Sequence, residues 1–253
     1  MCGRVDIHTP PAQLARALEA QLAAGIDPEA GRPSWNVGPT RAIPAIVDTE
    51  DHGRVMDIFR WGLVPHWAKD PKTGYKMINA RAETVATKPA YRAALVRRRC
   101  LIVVDGFYEW MSPDPSSPKR RVPFYFRRAD GSPITFAGLY ETWWDKSRSE
   151  EPDPESYLQT CVIVTTEAGP DMEAIHNRMP VIIDEPQRDL WLDTSTQEIE
   201  AVAGLLVPSR AGTLVRHPVS PEVNNVRNDG PQIQQAVPWP EAEIPAPPGV
   251  ASG

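Results

Sequence analysis

The sequence has no run approaching the roughly 20 apolar residues that cross a bilayer as a helix. Its N-terminus also lacks the basic segment followed by an apolar stretch that marks a secretory signal. Both absences lead to the expectation of a soluble cytoplasmic protein with no membrane partner. Cysteine is scarce: Cys2, Cys100 and Cys161 are odd in number and widely spaced, a pattern that builds neither a disulfide framework nor a zinc ribbon. The five histidines show no metal-ligand spacing, no Gly-rich phosphate loop is present, and no segment repeats. No metal or organic cofactor is therefore expected.

What is present is a chain of 253 residues, enough for one large domain with a substantial core. The formal net charge is -6, but it is unevenly distributed. Residues 60–130 hold fifteen Lys or Arg against six Asp or Glu, leaving the remainder strongly acidic. Screening confines charge effects to a Debye length of about 8–10 Å, so a locally basic surface on an acidic protein can still neutralise phosphates. The runs Arg97-Arg98-Arg99 and Lys119-Arg120-Arg121 fit that use and fit a merely solvated face equally well.

Cys2 follows the initiator methionine, which is normally trimmed when the next side chain is small. Trimming makes Cys2 the N-terminus, with a free amine and a thiol three bonds apart. An α-amino group, with a reference pKa of about 7.7–8.0, is partly unprotonated near neutral pH, whereas a lysine amine at about 10.4 is charged. The amine can attack an aldehyde, and the thiol can then add to the imine carbon and close a five-membered thiazolidine ring. Four residues alone do not decide between this chemistry and a chance cysteine.

Along the chain, residues 3–7 read as a short strand and residues 12–24 as a helix, with Leu14, Leu18 and Leu22 at four-residue spacing. Residues 32–40 read as a loop from their Pro and Gly content, followed by strands at 43–47 and 55–60 joined by a hairpin over His52-Gly53. Residues 61–67 form an aromatic loop, with Trp61 assigned to the core and Trp67 to the surface, where a ring beside cations suits single-stranded nucleic acid. A basic amphipathic helix is expected over 89–98. The apolar run 100–105 is a buried strand, and after Gly106 a second strand carries Glu109 between Tyr108 and Trp110. A carboxylate desolvated among aromatics is equipped to shuttle protons; a surface glutamate on an alternating strand is the other reading.

Residues 111–123 and 145–157 read as Pro/Ser-rich connections, and strands at 124–127, 134–140 and 157–165 fill a mainly antiparallel sheet. A short helix at 171–175 precedes His176-Asn177-Arg178, a His/Arg pair able to orient a reacting oxygen and a phosphate together. A strand at 181–183, helices at 186–192 and 197–206 and a strand at 214–219 close the domain. The polar segment 224–228 is expected to pack through side-chain hydrogen bonds, and the Pro/Ala-rich tail 238–253 to be disordered. Cys100 and Cys161 are read as inert core residues.

Five separated motifs, Met1-Cys2-Gly3-Arg4, Trp61-Gly62-Leu63-Val64-Pro65, Asn79-Ala80-Arg81-Ala82-Glu83-Thr84, Asp105-Gly106-Phe107-Tyr108-Glu109-Trp110 and Ile175-His176-Asn177-Arg178-Met179-Pro180, together resemble the SRAP (SOS response-associated peptidase) family. His217-Pro218-Val219-Ser220 followed by Asn225-Val226-Arg227-Asn228 matches its C-terminal signature. The resemblance implies an α+β fold with a mainly antiparallel β-barrel-like core flanked by helices, a single SRAP-type domain over 2–237. It implies a DNA-damage-response protein that binds single-stranded DNA as a monomer, nucleoid-associated when bound, and captures abasic sites through Cys2.

By resemblance Cys2 is the nucleophile, Asn79 positions the opened sugar, Glu109 relays protons, and His176 acts on the sugar oxygen and helps reverse the crosslink. Arg4, Arg81 and Arg178 match phosphate contacts, and Pro39 and Trp67 match wedges beside the lesion. Gly3, Asn36, Lys88, Trp110 and Thr165 complete the expected DNA-binding set. Lys88-Pro89 stands where relatives can carry a basic residue, and Ala68 where a second tryptophan can occur. Two other functions fit part of the pattern. A cysteine peptidase or N-terminal-nucleophile hydrolase that removes its own Met1 accounts for Cys2, Glu109 and His176 but not for the basic segment. A non-covalent single-strand binder accounts for the basic segment but not for the catalytic set.

Overall fold

A computed structural model of the chain describes residues 2–26, 33–112, 121–151, 153–195 and 199–238. Their strands are β1 (Val5–Ile7), β2 (Gln21–Leu22), β3 (Ser34–Val37), β4 (Ala42–Thr49), β5 (Gly53–Trp61), β6 (Asn79–Arg81), β7 (Arg99–Val104), β8 (Gly106–Met111), β9 (Val122–Arg128), β10 (Ile134–Trp144), β11 (Tyr157–Glu167), β12 (Arg178–Pro180) and β13 (Leu214–Pro218). The helices are short: α1 (Pro11–Ala17), α2 (Ala82–Val85), α3 (Arg92–Arg97), α4 (Arg188–Leu192) and α5 (Ile199–Ala203). None is long and apolar enough to cross a membrane.

β11, β10, β7, β4 and β5 pair in succession, and β5 pairs in turn with β11 through Thr160↔Arg60 and Cys161↔Trp61. That last pairing closes the ring and removes its free edges, so the expected barrel-like core is present. A second sheet runs β13-β9-β8-β1-β3. Alternation along each strand sends neighbouring side chains to opposite faces. Ile43, Phe59, Ile102, Phe136 and Ile163 therefore share one core with Val5, Phe107 and Phe124 of the second sheet. Ile46, Leu101, Leu139 and Val162 face the other way and pack beneath Leu14, Leu95 and Trp191 of α1, α3 and α4.

β1 is held by a buried lock. Asp6 is fully buried and accepts from Tyr125 Oη (2.7 Å), His8 Nδ1 (2.9 Å) and the Gln234 amide. Burial pushes its carboxyl up while the bond from His8 opposes that shift, and the same bond pushes His8 up. Asp105 accepts from the backbone N–H groups of His8 and Thr9 and from the Thr9 hydroxyl. Asp6, His8 and Asp105 form the one group among the described residues close enough to hold a metal. Each of its carboxylate oxygens is already engaged by a protein donor.

The local elements depart from the sequence expectations in several places. The helix at 12–24 stops at Ala17, because Glu19 turns left-handed (φ 53°) and the Ala20 N–H reaches back to Ala15 O (2.9 Å). Leu22 thereby leaves the helical stripe and pairs with Met56 in β5. Within the expected loop 32–40, residues 34–37 are β3, drawn onto the open edge of β1 by the pairing Val5↔Val37. The basic helix over 89–98 shrinks to α3, since residues 88–91 form a turn. Residues 171–175 are turns rather than helix, and the following strand is β12, three residues earlier than expected. Residue 1, residue 32 of the expected loop, 113–120 and 152 of the two connections, 197 and 198 of the last helix, and 239–253 of the tail lie outside the described residues.

The charge run at 97–99 divides by role. Arg99 is buried and donates to the carbonyls of Leu95, Val96, Trp191 and Asp193. Arg98 pairs with Glu141 at 3.0 Å, and Arg97 alone stays exposed. The aromatic loop after β5 depends on glycine. Gly62 has φ +122°, and a Cβ there would meet Gly74 O at 2.5 Å. Both the left-handed backbone and the close approach exclude a side chain. Gly62→Ala is therefore expected to destabilise the fold by about 2 kcal/mol or more, read as a lowered urea midpoint; a wild-type midpoint contradicts this packing.

Candidate functional site

The C-terminal half of β11 assembles the site from segments distant in sequence. β6 lies parallel to it, with Asn79 opposite Ile163 and Arg81 opposite Thr165. β12 lies antiparallel on it, with Arg178 opposite Glu167. Cys2, at the head of β1, is fully buried, and its carbonyl accepts from Asn79 Nδ2 at 2.7 Å. The second amide atom, Asn79 Oδ1, is buried with no hydrogen-bond partner among the described residues. An unpaired buried acceptor costs about 1–3 kcal/mol, and a ligand hydroxyl would satisfy it.

β8 supplies the carboxylate. Phe107, Glu109 and Met111 share one strand face, and Phe107 and Met111 belong to the same core as Cys2 and Phe124. Glu109 is 2% exposed, so the surface reading of this residue is excluded. Its charge acts on two neighbours. Burial pushes the Cys2 thiol up, and the Glu109 carboxylate pushes it further. Burial pulls His176 down, and Glu109 opposes that pull. Cys2, Glu109 and His176 thus share one electrostatic neighbourhood.

His176 is half-buried and its Nδ1 accepts from the Arg178 backbone N–H at 2.9 Å. The Arg178 carbonyl lies farther from the same nitrogen, at 3.2 Å, so the shorter bond favours the neutral tautomer with its proton on Nε2. Arg178 in turn donates to both carboxylate oxygens of Glu83 and, through Nη2, to Thr165 O at 2.6 Å. Its ion pair with Glu83 is the main influence holding that half-exposed carboxylate below the usual range. Glu83 stands inside the Asn79–Thr84 motif, yet sequence reasoning gives it no role; only the cross-strand arrangement of β6 and β12 shows its partner.

Arg4 and Asn36 serve a different purpose from a free phosphate contact. Arg4 Nη1 donates to Asn36 Oδ1 (2.5 Å) and Val223 O (2.7 Å). Asn36 Nδ2 donates to the carbonyls of Val223, Asn225 and Asn228, the last at 2.6 Å. Trp110 lies 5.8 Å beneath the Arg4 guanidinium and donates to Asn224 Oδ1 at 2.6 Å. These residues pin the polar segment 223–228 beside the N-terminus, as expected for that segment. Gly3 is half-buried between Cys2 and Arg4.

Arg81 and Lys88 are exposed, and Thr165 is buried with its carbonyl committed to Arg178. Pro39 precedes Thr40, a β-branched residue at φ 72°, a conformation that costs about 1–3 kcal/mol and turns the chain just after Pro39. Trp61 is fully buried and Trp67 is 59% exposed, as expected for each. Trp67 belongs to a cavity with Trp143 and Trp144. No contact among the described residues ties it to Cys2.

A family model described as SOS response associated peptidase (SRAP) matches residues 1–226. The chain is 41% identical over 201 residues to the abasic site processing protein YoqW of Bacillus subtilis (strain 168), covering 79% of this chain and 85% of that one. It is 33% identical over 267 residues to the abasic site processing protein HMCES of Gallus gallus, covering 92% and 76%. A solved structure of a protein from Bacteroides thetaiotaomicron matches with a TM-score of 0.78 at 22% identity, over 93% of this chain and all of that one; at that identity the likeness is one of fold.

The electrostatic coupling can be read directly. His176 is expected to titrate below its ordinary range in an NMR pH titration, and in Glu109→Gln its midpoint should fall further, because the carboxylate that favours the imidazolium is gone. A midpoint that rises or stays put in the variant contradicts the shared neighbourhood.

Proposed function

The chain belongs to the SOS response associated peptidase (SRAP) family, and from that membership we propose that it binds single-stranded DNA and captures abasic sites as a thiazolidine on Cys2. The observation that carries the reading is the placement of Cys2. Asn79 holds its carbonyl at 2.7 Å, and the buried Glu109 acts on both the thiol and His176. The curated relatives described as abasic site processing proteins support the choice of substrate.

With Met1 removed, the Cys2 amine attacks C1′ of the ring-opened abasic sugar and forms a carbinolamine. Glu109 as the acid gives its proton to the departing hydroxyl, water leaves, and a protonated imine remains. The Glu109 carboxylate then takes the thiol proton as sulfur bonds to the same carbon, which closes the ring and restores the acid. Sulfur adding to the protonated imine leaves the ring nitrogen with its one hydrogen and the thiazolidine neutral; the balance is aldehyde plus cysteine to thiazolidine plus water. Glu109 thus carries a proton out and back in one cycle. An imine left open would permit strand cleavage by elimination, and ring closure removes it.

His176 offers its Nε2–H to the sugar hydroxyl freed by ring opening, and the unpaired Asn79 Oδ1 accepts from the same sugar. Holding the partners together supplies the effective molarity that free cysteine lacks. Arg81 and Lys88 are free to meet phosphates. Arg178 meets one by exchanging Glu83 for it. Arg4 and Asn36 contribute by fixing the wall formed by residues 223–228, and Pro39 by the turn just after it. Peptide cleavage gives the basic segment and the exposed Trp67 no use, whereas capture of a DNA lesion employs both; this favours capture over peptide cleavage.

Incubated with an abasic-site oligonucleotide, the wild-type chain should form an adduct on a denaturing gel with the mass of chain plus DNA minus water. Cys2→Ala, and a chain with a residue added ahead of Cys2, should form none. Glu109→Gln should slow formation by about 10²–10⁴-fold. An adduct that survives the blocked amine overturns the mechanism.

A further inference from the structure

The far end of β10 and β11 holds a cavity that the chemistry at Cys2 leaves unused. It encloses about 660 Å³ and is lined by Trp67, Trp143 and Trp144 together with Lys69 and Lys146. Its walls are fixed to one another, because Trp143 Nε1 donates to Ala68 O at 2.7 Å and ties the aromatic loop to the end of β10. Both carboxylates that line it are committed to their own turns. Asp70 accepts from Lys72 N at 2.7 Å, and Asp145 accepts from Ser147 and pairs with Arg148. Two lysines thus balance two aspartates in formal charge, and both lysine side chains are exposed, free of those turns.

Two features point to a planar ligand with polar edges. Trp67 presents a largely exposed ring, and Lys146 Nζ lies 4.9 Å from the centroid of the Trp144 ring; aromatic faces beside cations are the elements that hold unpaired bases and their phosphates. Trp144 Nε1 is buried and has no acceptor among the described residues, so a base carbonyl or phosphate oxygen would complete it. Its position is set by register. Trp143 pairs with Leu158 on β11, whereas Asn79, which holds Cys2, pairs with Ile163. Five residues of strand span roughly 17 Å, so a group seated here lies several nucleotides from one bound at Cys2.

We propose that this cavity is a second nucleic-acid subsite, in which Trp67 and Trp144 stack one unpaired base of the strand while Lys69 and Lys146 hold its flanking phosphate. The proposal rests on the reading that the chain binds single-stranded DNA and extends that reading beyond the lesion. It makes affinity depend on strand length: an oligonucleotide that ends close to the abasic site fills only the Cys2 site, and a longer one fills both.

The test uses the full chain, Trp144→Ala and Lys146→Glu, each with two probes: a long fluorescent oligothymidylate without a lesion, and a short oligonucleotide with a central abasic site. Wild type should bind the long probe with quenching of tryptophan fluorescence. Each variant should bind it about tenfold more weakly, while crosslinking the short probe at the wild-type rate. Wild-type affinity of both variants for the long probe overturns the subsite, as does an equal loss on long and short probes. A wild-type chain that binds the long probe through Trp144 and Lys146 but forms no adduct would keep the subsite and refute capture.

Discussion

The hydrogen bond from Asn79 Nδ2 to the Cys2 carbonyl joins the first residues of the chain to β6, and through β6 to the barrel. An N-terminus is ordinarily among the most mobile parts of a domain. Here β1 is clamped from both sides: the Asp6 lock holds its middle to β9 and to Gln234, and the Asn79 bond holds its head. The consequence is a terminal nucleophile placed on rigid elements, which precise covalent chemistry requires. The network of Arg4 and Asn36 serves the same end from another direction, because it packs residues 223–228 against the segment that carries Cys2.

The polar groups of the site are placed where an ordinary core would not accept them. Glu109 is buried on β8 opposite Phe124 of β9, among apolar side chains and close enough to act on the Cys2 thiol, and Asn79 keeps one amide atom unsatisfied. Such arrangements are tolerated when surrounding packing over-determines them. β8 does so here by pairing with β9 from Phe107 to Met111 and with β1 at Gly106 and Phe107. The anion-facing side follows a different rule: Arg178 is kept in place by Glu83 and the Thr165 carbonyl, an exposed pair that water and salt weaken readily. The buried groups are fixed, and the exposed partner of Arg178, the Glu83 carboxylate, is exchangeable.

Much of this was legible in the chain. The β-branched run at 100–104 and the break at Gly106 locate β7 and β8, whereas the chain leaves Glu109 open between a buried and a surface position, which only the packing of β8 decides. The contrast between Trp61 and Trp67, and the core placement of Cys100 and Cys161, also follow from local context. What sequence could not show depends on pairing between distant segments. Closure of the barrel rests on Cys161 meeting Trp61, and residues 34–37 become a strand because an edge was open. The early end of α1 is set by one left-handed residue, Glu19, of a type not favoured there. Glu83 gains its role from a partner 95 positions away, and Asn36 from Arg4, 32 positions away, and carbonyls 187 or more away, beyond the reach of any periodic signal.

The central claim is that amine and thiol of one residue bond to one carbon of the DNA. Labelling the aldehyde carbon of an abasic-site oligonucleotide with carbon-13 and recording the spectrum of the purified adduct tests it most directly. A single resonance of a saturated carbon bonded to both nitrogen and sulfur is predicted. An imine carbon, or a carbon bonded to sulfur and oxygen, would contradict it.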